Sequence, residues 1–338
     1  MTKEQIEKLL SDGRFPELTH QKKLVETHIS WVILCDEFVY KIKKPILYSF
    51  LDFSTLPLRK HYCKREIELN RRLSKDVYLE VLPVSSLNGK YGIGEDEGEV
   101  IDYAVRMRKL DPEKQMDVLL SKDKVRPADI KKLAKYIAVF HKKTEVIYKK
   151  DLQDDKNKFN ELKAEKEFLS ENLGQEIGNL IDRAIERSNI FLNQNSELLE
   201  SRLSSGFFRD CHGDLHTRNI FLLPAPQPFD CIEFNDDYRQ IDVLNEVAFL
   251  CMDLDALQRE DLSRLFIEHY NLHFPAMRNN TERQLFINYK SYRANVRAKV
   301  NSLRASGSSE NSSKKNALQE AEKYLKLMGS YLDRLEID

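Results

Sequence analysis

The first hundred residues contain short apolar runs separated by polar turns. From Trp31 to Lys43, apolar and β-branched residues flank a short polar break, which predicts two paired strands. Residues 77–84 and 100–107 are further strand-like runs, separated by a glycine-rich turn at residues 88–94. Between these pairs, Pro57 to Ser74 carries an approximate apolar stripe among many charges, which predicts a helix. This part of the chain is therefore predicted to form a small antiparallel sheet with one helix.

Beyond Leu110 the apolar positions change to helical spacing. Residues 130–140 repeat an apolar residue every three or four positions. Similar periodicity marks residues 157–199, 261–269, 289–304 and 318–332. Strand-like pieces interrupt this pattern at residues 211–233. We therefore predict an α+β chain, with a sheet-rich lobe at residues 1–108 and a mainly helical lobe at residues 109–338.

Composition and charge narrow the class of protein. The chain has 338 residues, of which 41% are hydrophobic, and this can supply one large core or two modest ones. The 54 Lys and Arg residues nearly balance the 55 Asp and Glu residues, which argues against a dedicated binder of nucleic acid or of membrane surfaces. The N-terminus lacks an apolar leader, and the five cysteines form no Cys-x-x-Cys pair. We expect a globular cytoplasmic protein with reduced thiols and with no nucleic-acid or membrane partner.

Residues 211–220, Cys-His-Gly-Asp-Leu-His-Thr-Arg-Asn-Ile, have the clearest chemical character. They place Asp214 and Asn219 five residues apart, in a loop before an apolar stretch. Phosphoryl transfer needs a carboxylate that orients the attacking hydroxyl and accepts its proton, and an oxygen ligand that holds Mg²⁺ against the nucleotide phosphates. Asp214 is therefore the candidate catalytic residue, and Asn219 is a candidate metal ligand.

From His212 to Ile220 the chain resembles the loop His-Gly-Asp-(Leu/Phe)-His-x-x-Asn-(Ile/Leu) of the aminoglycoside phosphotransferase and choline kinase superfamily. The segments Thr27–Val32, Val39–Pro45 and Cys231–Asn235 are similar to an aminoglycoside phosphotransferase-like bacterial branch. The resemblance implies a two-lobed protein-kinase-like fold. It also implies an enzyme that uses ATP and Mg²⁺ to phosphorylate a hydroxyl of a small molecule. The alternatives are a nucleotide-binding pseudokinase scaffold and a protein kinase of the same fold.

The resemblance also implies a second metal ligand after Asn219. Ile232-Glu233-Phe234 falls where the superfamily has Ile-Asp-(Trp/Phe), so Glu replaces Asp. We prefer Glu233, because its carboxylate offers the same hard oxygens on a longer side chain. Asp230 is the alternative. Downstream, Asp242 and Glu246 occupy the place of acids that support the catalytic loop in the superfamily, and His212 is expected to be a structural hydrogen-bonding residue.

Lys41 ends the predicted hairpin in the way that the phosphate-binding lysine of kinases does. Lys43 lies on the same face two residues later and is the alternative. The resemblance of Arg65-Glu66 to a superfamily Arg-Glu pair implies Glu66 as the partner of the lysine, with Glu68 as the second choice.

Two further nucleotide contacts rest on the resemblance alone. Ser30 precedes the first strand of the hairpin and could offer the phosphates a hydroxyl. The strand that contains Met107 leads into a hinge, where backbone groups of residues 106–108 would meet the adenine edge. No Gly-x-x-x-x-Gly-Lys-(Ser/Thr) motif occurs in the chain, so a P-loop kinase is not expected.

Basic residues share one face of the predicted helix at residues 289–304. The cations are Lys290, Arg293, Arg297 and Arg304. We expect a solvated face that is paired with nearby acids. The alternative is an anion site for a phosphorylated or acidic acceptor.

Overall fold

The chain divides into two compact units. The structure, a computed structural model, describes residues 1–48, 50–95, 97–308 and 310–336. The first unit comprises Met1–Leu119 and Arg218–Tyr238, and the second comprises Leu120–Thr217 and Arg239–Asp338. The predicted lobe boundary after residue 108 stays a prediction, and the last two residues of the predicted second lobe lie outside the described residues.

The first unit is built on a six-stranded antiparallel sheet with the strand order β1-β2-β3-β8-β6-β7. The elements up to residue 121 are α1 (Lys3–Asp12), β1 (Lys23–Glu26), β2 (Ser30–Leu34), β3 (Phe38–Lys43), β4 (Leu47–Tyr48), β5 (Leu51–Asp52), α2 (Leu56–Asn70), β6 (Tyr78–Leu87), β7 (Lys90–Ile93), β8 (Glu99–Arg108) and α3 (Met116–Ser121). The predicted hairpin at residues 31–43 and the predicted helix at residues 57–74 are thereby confirmed as β2, β3 and α2.

Alternation along the strands gives the sheet two different faces. On one face, Tyr40 and Ile42 of β3 pack in a core that includes Ile6 and Leu9 of α1. On the other face, Val105 and Met107 of β8 pack with residues of α2. Because successive residues of a strand point to opposite faces, the intervening residues of β3, Lys41 and Lys43, belong to the face that α2 covers.

The predicted turn at residues 88–94 is wrong in its extent, because it contains the strand β7. Asn88 and Gly89 have φ angles of 53° and 78°, and Leu87 pairs with Lys90 across them. Two residues with positive φ complete a tight hairpin, as Asn-Gly commonly does. The chain therefore resumes strand geometry at Lys90.

The second unit is mainly helical. The elements beyond residue 121 are α4 (Pro127–Lys143), α5 (Gln153–Asn160), α6 (Lys166–Leu173), α7 (Gln175–Gln194), α8 (Ser196–Ser204), β9 (Phe208–Asp210), β10 (Ile220–Phe221), β11 (Gln227–Pro228), β12 (Gln240–Asp242), α9 (Val243–Ala256), α10 (Glu260–His273), α11 (Asn280–Ser306) and α12 (Asn311–Leu332). Of these, β10 and β11 pair with each other and belong to the first unit. The helices predicted beyond residue 260 are confirmed as α10, α11 and α12.

Helix α9 is buried from Val243 to Asp255. Asp242 caps it by accepting a hydrogen bond from the backbone N–H of Leu244 at 2.8 Å. This helix carries several of the polar residues described below. Among the described residues, no helix is both long enough and apolar enough to span a bilayer.

Candidate functional site

In the first unit, Glu66 of α2 divides its two carboxylate oxygens between two lysines of β3. Glu66 Oε1 lies 2.8 Å from Lys41 Nζ, and Glu66 Oε2 lies 2.7 Å from Lys43 Nζ. The Thr55 side chain accepts from the Leu58 N–H and begins the helix that presents Glu66 to the sheet. The structure therefore brings Lys41 and Glu66 together, and it adds Lys43, the alternative lysine, to the same carboxylate.

Each lysine also contacts one carboxylate from the segment that follows β11. Lys41 Nζ lies 2.5 Å from Asp230 Oδ1, whereas Lys43 pairs with Glu233. The Asp230 side chain is 44% exposed and that of Lys41 is 11% exposed. The side chains of Lys43 and Glu233 are 0% and 4% exposed. The cluster thus has an outer pair, Lys41 and Asp230, and an inner pair, Lys43 and Glu233, joined through Glu66.

The segment that carries Asp230 is held by backbone hydrogen bonds to side chains of the first unit. The N–H of Asp230 donates to Tyr78 Oη at 2.9 Å, and the N–H of Cys231 donates to Asn70 Oδ1 at 2.9 Å. Ser74 Oγ donates to the carbonyl of Pro228 at 2.5 Å. Asp230 has a φ of 63°, in the left-handed region that Asp tolerates better than most residues. These contacts fix the direction in which the Asp230 side chain projects from the backbone.

Opposite charges in this cluster stabilise one another electrostatically despite burial. Burial would lower the pKa of Lys41, but the carboxylates of Asp230 and Glu66 outweigh it and hold that pKa above its usual value. Burial would raise the pKa of Glu66, yet the charges of Lys41 and Lys43 lower it to about 2. For Glu233 burial prevails over the attraction of Lys43, and its pKa lies above the usual value. Lys41 and Glu66 are therefore both charged at neutral pH.

The remaining candidate residues of the first unit lie outside this cluster of ion pairs. Ser30 begins β2 opposite Lys43, and within the described part of the chain its buried Oγ has no hydrogen-bond partner. The side chain of Met107 packs in the apolar core beside α2. The backbone N–H groups of Arg108 and Lys109 already donate to the carbonyls of Val77 and Glu37, at 2.8 Å each.

Asn219 ends a short 3-10 turn, Thr217–Asn219, and is buried. Its carbonyl accepts a hydrogen bond from the N–H of Phe229 at 2.9 Å, which joins Asn219 to the residue before Asp230.

In the second unit, the loop that carries Asp214 turns at Gly213, whose φ is 88°. The N–H groups of His212 and Gly213 donate to the two oxygens of Glu246 at 2.8 and 3.0 Å. The N–H of Asp214 donates to His212 Nδ1 at 3.2 Å. Burial raises the pKa of Glu246 to about 7, although Arg293 and the two loop N–H groups oppose that rise. Glu246 and His212 thus have the structural contacts that were expected of them.

The carboxylate of Asp214 is 36% exposed and lies 3.4 Å from His216 Nε2 through its Oδ2 atom. Burial would raise the pKa of Asp214, but the charge of His216, its hydrogen bond, and the charges of His212 and Arg297 hold it well below its usual value. Asp214 is therefore ionised at neutral pH. An ionised and partly exposed carboxylate can accept a proton from a hydroxyl group.

Asp253 of α9 supports the end of the same loop. Its Oδ2 accepts hydrogen bonds from the N–H and the Oγ1 of Thr217, at 3.0 and 2.6 Å. Its Oδ1 accepts from Tyr324 Oη at 3.2 Å. Asp253 and Tyr324 were not predicted from the sequence. The available signal was an acidic residue, Asp253, in a mostly apolar helix that follows the Asp214 loop in the chain.

The expectation of a solvated cationic face on α11 is wrong for Arg293. This side chain is buried among α9 residues and donates to Asn245 Oδ1 at 2.7 Å and to the Gly213 carbonyl at 3.2 Å. Lys290 pairs with Asp255, as expected for a pairing with acids, and Arg304 is exposed. Arg293 is buried because the face of α11 that carries it packs on α9, where its guanidinium lies over Phe249.

The carboxylates described here do not make a closed metal site. Among the described residues, no group of three or more His, Cys, Asp or Glu side chains is arranged to hold a metal ion. Magnesium in kinase sites uses one or two protein carboxylates together with substrate phosphates and water. The hard oxygens of Asp230, Asn219 and Glu233 are of the type that it binds.

Comparison with known sequences finds relatives without an assigned function. No protein-family profile matches the chain. Proteins of Mycobacterium tuberculosis and Mycobacterium bovis, each named as uncharacterised, are 29% identical over 286 residues, which cover 83% of this chain and 55% of theirs. The chain spans about half the length of these curated relatives.

Comparison with solved structures identifies the fold. The choline kinase of Cryptosporidium parvum superimposes with a TM-score of 0.56 and 11% identity, over 93% of this chain and 90% of its own. The GDP complex of aminoglycoside 2'-phosphotransferase-IIIa gives a TM-score of 0.52 and 13% identity, over 92% and 94%. A choline/ethanolamine kinase family protein of Mesorhizobium loti gives 0.51 and 12%, over 93% and 94%. The chain therefore has the α+β, two-lobed kinase-like fold of these small-molecule kinases, as the sequence resemblance predicted.

Proposed function

We propose that this chain, which has the fold of small-molecule kinases, uses ATP and Mg²⁺ to phosphorylate a hydroxyl group of a small molecule. The observation that carries the proposal is the ion-pair chain from Glu66 through Lys41 to Asp230. It presents a charged lysine and a half-exposed carboxylate together on one face of the sheet. A kinase needs this combination to hold nucleotide phosphates and the metal that accompanies them.

The outer pair suits the nucleotide better than the inner pair does. Lys41 is partly exposed and would contact the phosphates, while Glu66 fixes its direction. The buried hydroxyl of Ser30 has no hydrogen-bond partner among the residues that the structure describes, and a phosphate oxygen could supply one. The resemblance puts Met107 beside the adenine, although β8 is an inner strand whose backbone pairs with β3 and β6. The solved neighbour with bound GDP also favours nucleotide use by this fold.

For the metal ligands, exposure favours Asp230 over Glu233, the residue preferred from the sequence. Asp230 is 44% exposed, whereas Glu233 is 4% exposed and already neutralised by a buried lysine. Asn219 and Asp230 would therefore hold Mg²⁺, with Glu233 as the alternative. The bound ion would offset negative charge on the phosphates. Asp214 would orient the acceptor hydroxyl and take up its proton.

The ionised and partly exposed Asp214 favours a catalytically active enzyme over a pseudokinase scaffold. A protein kinase of the same fold would phosphorylate a polypeptide and ignore small acceptors. The structural neighbours, named as kinases of choline and ethanolamine and as phosphotransferases of aminoglycosides, favour a small acceptor. We propose that the protein acts in the cytoplasm, on a metabolite and on neither nucleic acid nor membrane.

The test combines ATP turnover against a pooled metabolite library with nucleotide binding by calorimetry. We expect Asp214→Asn to lower kcat by about 10²–10⁴-fold while ATP binding is kept, because only the proton acceptor is lost. Asp123→Asn is the matched control, since Asp123 is exposed in the same unit and Asn tolerates its φ of 49°. Unchanged turnover in Asp214→Asn would refute the assignment of Asp214.

The metal assignment has its own test in the same calorimetry. We expect Asp230→Asn to remove the dependence of ATP binding on Mg²⁺, and Glu233→Gln to retain it. Asn keeps the left-handed backbone of position 230, so a lost dependence reports the carboxylate itself. The opposite result in the two variants would assign Glu233, and not Asp230, as the metal ligand. ATP binding that is independent of Mg²⁺ in the wild type, with no turnover, would favour the scaffold.

A further inference from the structure

The peptide group that precedes Asp214 has both of its hydrogen-bonding groups engaged. The carbonyl of Gly213 accepts a hydrogen bond from Arg293 Nη1 at 3.2 Å. The N–H of Asp214 donates to His212 Nδ1 at 3.2 Å. The orientation of this peptide sets the direction in which the Asp214 side chain leaves the loop.

Gly213 makes that orientation dependent on outside partners. With a φ of 88°, Gly213 lies in the positive-φ region, and glycine adopts positive and negative φ with similar ease because it has no Cβ. The local chain therefore does little to prevent rotation of the peptide. The hydrogen bond from Arg293 to the carbonyl holds this peptide in one orientation, while the N–H groups of His212 and Gly213, which donate to Glu246, hold the two peptides before it.

Arg293 reaches this carbonyl from a buried position beside α9. Its side chain is buried, its Nε donates to Asn245 Oδ1 at 2.7 Å, and its guanidinium lies 4.8 Å from the ring centre of Phe249. A planar guanidinium donates in two fixed directions at once, which the single ammonium of a lysine does not reproduce. Arg293 thereby links α11 and α9 to the loop of Asp214.

We propose that Arg293 is a positioning residue for Asp214, acting through the Gly213 carbonyl. The inference rests on the proposed function, because it takes Asp214 as the proton acceptor. Loss of the guanidinium frees the peptide to rotate and moves the Asp214 carboxylate away from the acceptor hydroxyl. Small misplacements of a reacting group cost about 10²-fold in rate, so the expected effect is on kcat.

The experiment compares Arg293→Met and Arg293→Lys with Arg304→Met. Arg304 lies on the same helix, is exposed and donates to Asn301 Oδ1 at 3.3 Å, so its variant controls for loss of an arginine from α11. Two quantities are measured: hydrogen exchange of the amides of residues 212–214, and the kcat and KM for ATP. We expect faster exchange and a kcat about 10–100-fold lower in Arg293→Met, with KM for ATP unchanged.

Arg293→Lys should fall between the wild type and Arg293→Met, and Arg304→Met should match the wild type. Unchanged exchange at residues 212–214 in a folded Arg293→Met protein would overturn the proposal, as would a loss of kcat accompanied by an equal change in KM. If Arg293→Met does not fold, Arg293→Lys decides by the same two measurements. If the wild type shows no turnover, the proposed function fails, while amide exchange still decides whether Arg293 holds the loop.

Discussion

At the residue scale, Glu66 shows how one carboxylate can support two partners. Each of its oxygens faces a different lysine, and those lysines in turn contact Asp230 and Glu233. A buried carboxylate with a single cation would retain an unsatisfied oxygen at a free-energy cost. The second lysine brings a positive charge to within 2.8 Å of the other oxygen, and Lys41 also contacts Asp230, its exposed partner.

Asp155 of α5 is a different kind of buried residue, since its charge is only partly compensated. Burial raises its pKa to about 6, and the charges of Lys158 and Lys150 offset only part of that rise. A carboxyl whose pKa is higher in the folded state prefers to be protonated there. Its contribution to the free energy of unfolding is complete below its ordinary pKa and is lost as the pH rises through about 6.

We therefore predict that Asp155→Asn, which resembles the protonated carboxyl, stabilises the protein at pH 7.5. The gain is at most about 3 kcal/mol, since one pKa unit corresponds to about 1.4 kcal/mol, and it should shrink toward zero at pH 4. Chemical denaturation at both pH values measures it. Asp151→Asn, at an exposed position nearby, is the control. An equal gain at both pH values would contradict the assignment.

At the element scale, the inner pair joins β3 to the segment after β11. Lys43 Nζ contacts Glu66 and Glu233 and lies 4.7 Å from the ring centre of Phe53. Strand β3, helix α2 and the chain at residue 233 are thereby linked through one ammonium group. Under the proposed function, the outer pair would contact a nucleotide only while these elements keep their positions.

Removal of this ammonium should destabilise the first unit strongly. We predict that Lys43→Met costs about 3–5 kcal/mol of unfolding free energy, because it leaves buried carboxylate charge without its partner. Lys23→Met, at an exposed position of the same sheet, should change it by less than about 0.5 kcal/mol. Urea denaturation measures both.

The double variant Lys43→Met with Glu233→Leu separates the pair from its surroundings. We expect it to be more stable than Lys43→Met alone, since an apolar pair of similar volume can replace a buried ion pair. Additive losses in the double variant would show that Lys43 and Glu233 act independently.

At the scale of the whole molecule, the charges nearly cancel. The chain carries 54 basic and 55 acidic residues, for a formal net charge of −1. Nonspecific binding to nucleic acid depends on cationic groups that release counterions from the phosphate backbone. We predict no retention on heparin and no shift of double-stranded DNA at about 150 mM salt, where Debye screening limits contacts to about 8 Å. Binding that weakens steeply with added salt would contradict this and reveal a local basic surface.

Much of the fold could be predicted from local pattern. Apolar and β-branched runs on either side of a polar break at residues 31–43 predicted β2 and β3, and three-and-four spacing predicted α4 and the helices near the C-terminus. These predictions succeed because the period of apolar residues reflects which side of an element is buried. The strand β7 was missed, since a two-residue Asn-Gly turn and a short strand share the composition of a longer turn.

The candidate residues were also partly available from the sequence. Asp214 and Asn219 were predicted from their spacing within one loop, Lys41 from its place at the end of the predicted hairpin, and Glu66 from the family resemblance. The sequence by itself thus determined most of the element types, the charge balance and the candidate residues for the proposed phosphoryl transfer. These properties depend on residues close together in the chain.

Only the tertiary structure decided how distant side chains are paired. Glu66 faces both lysines, Asp230 is exposed where Glu233 is buried, and Arg293 holds a carbonyl eighty positions earlier in the chain. A lysine, a glutamate or an arginine has the same local pattern whether it faces solvent or a buried partner. Its burial and its partner are set by the packing of elements that are far apart in sequence, and the free energy of each charge depends on that packing.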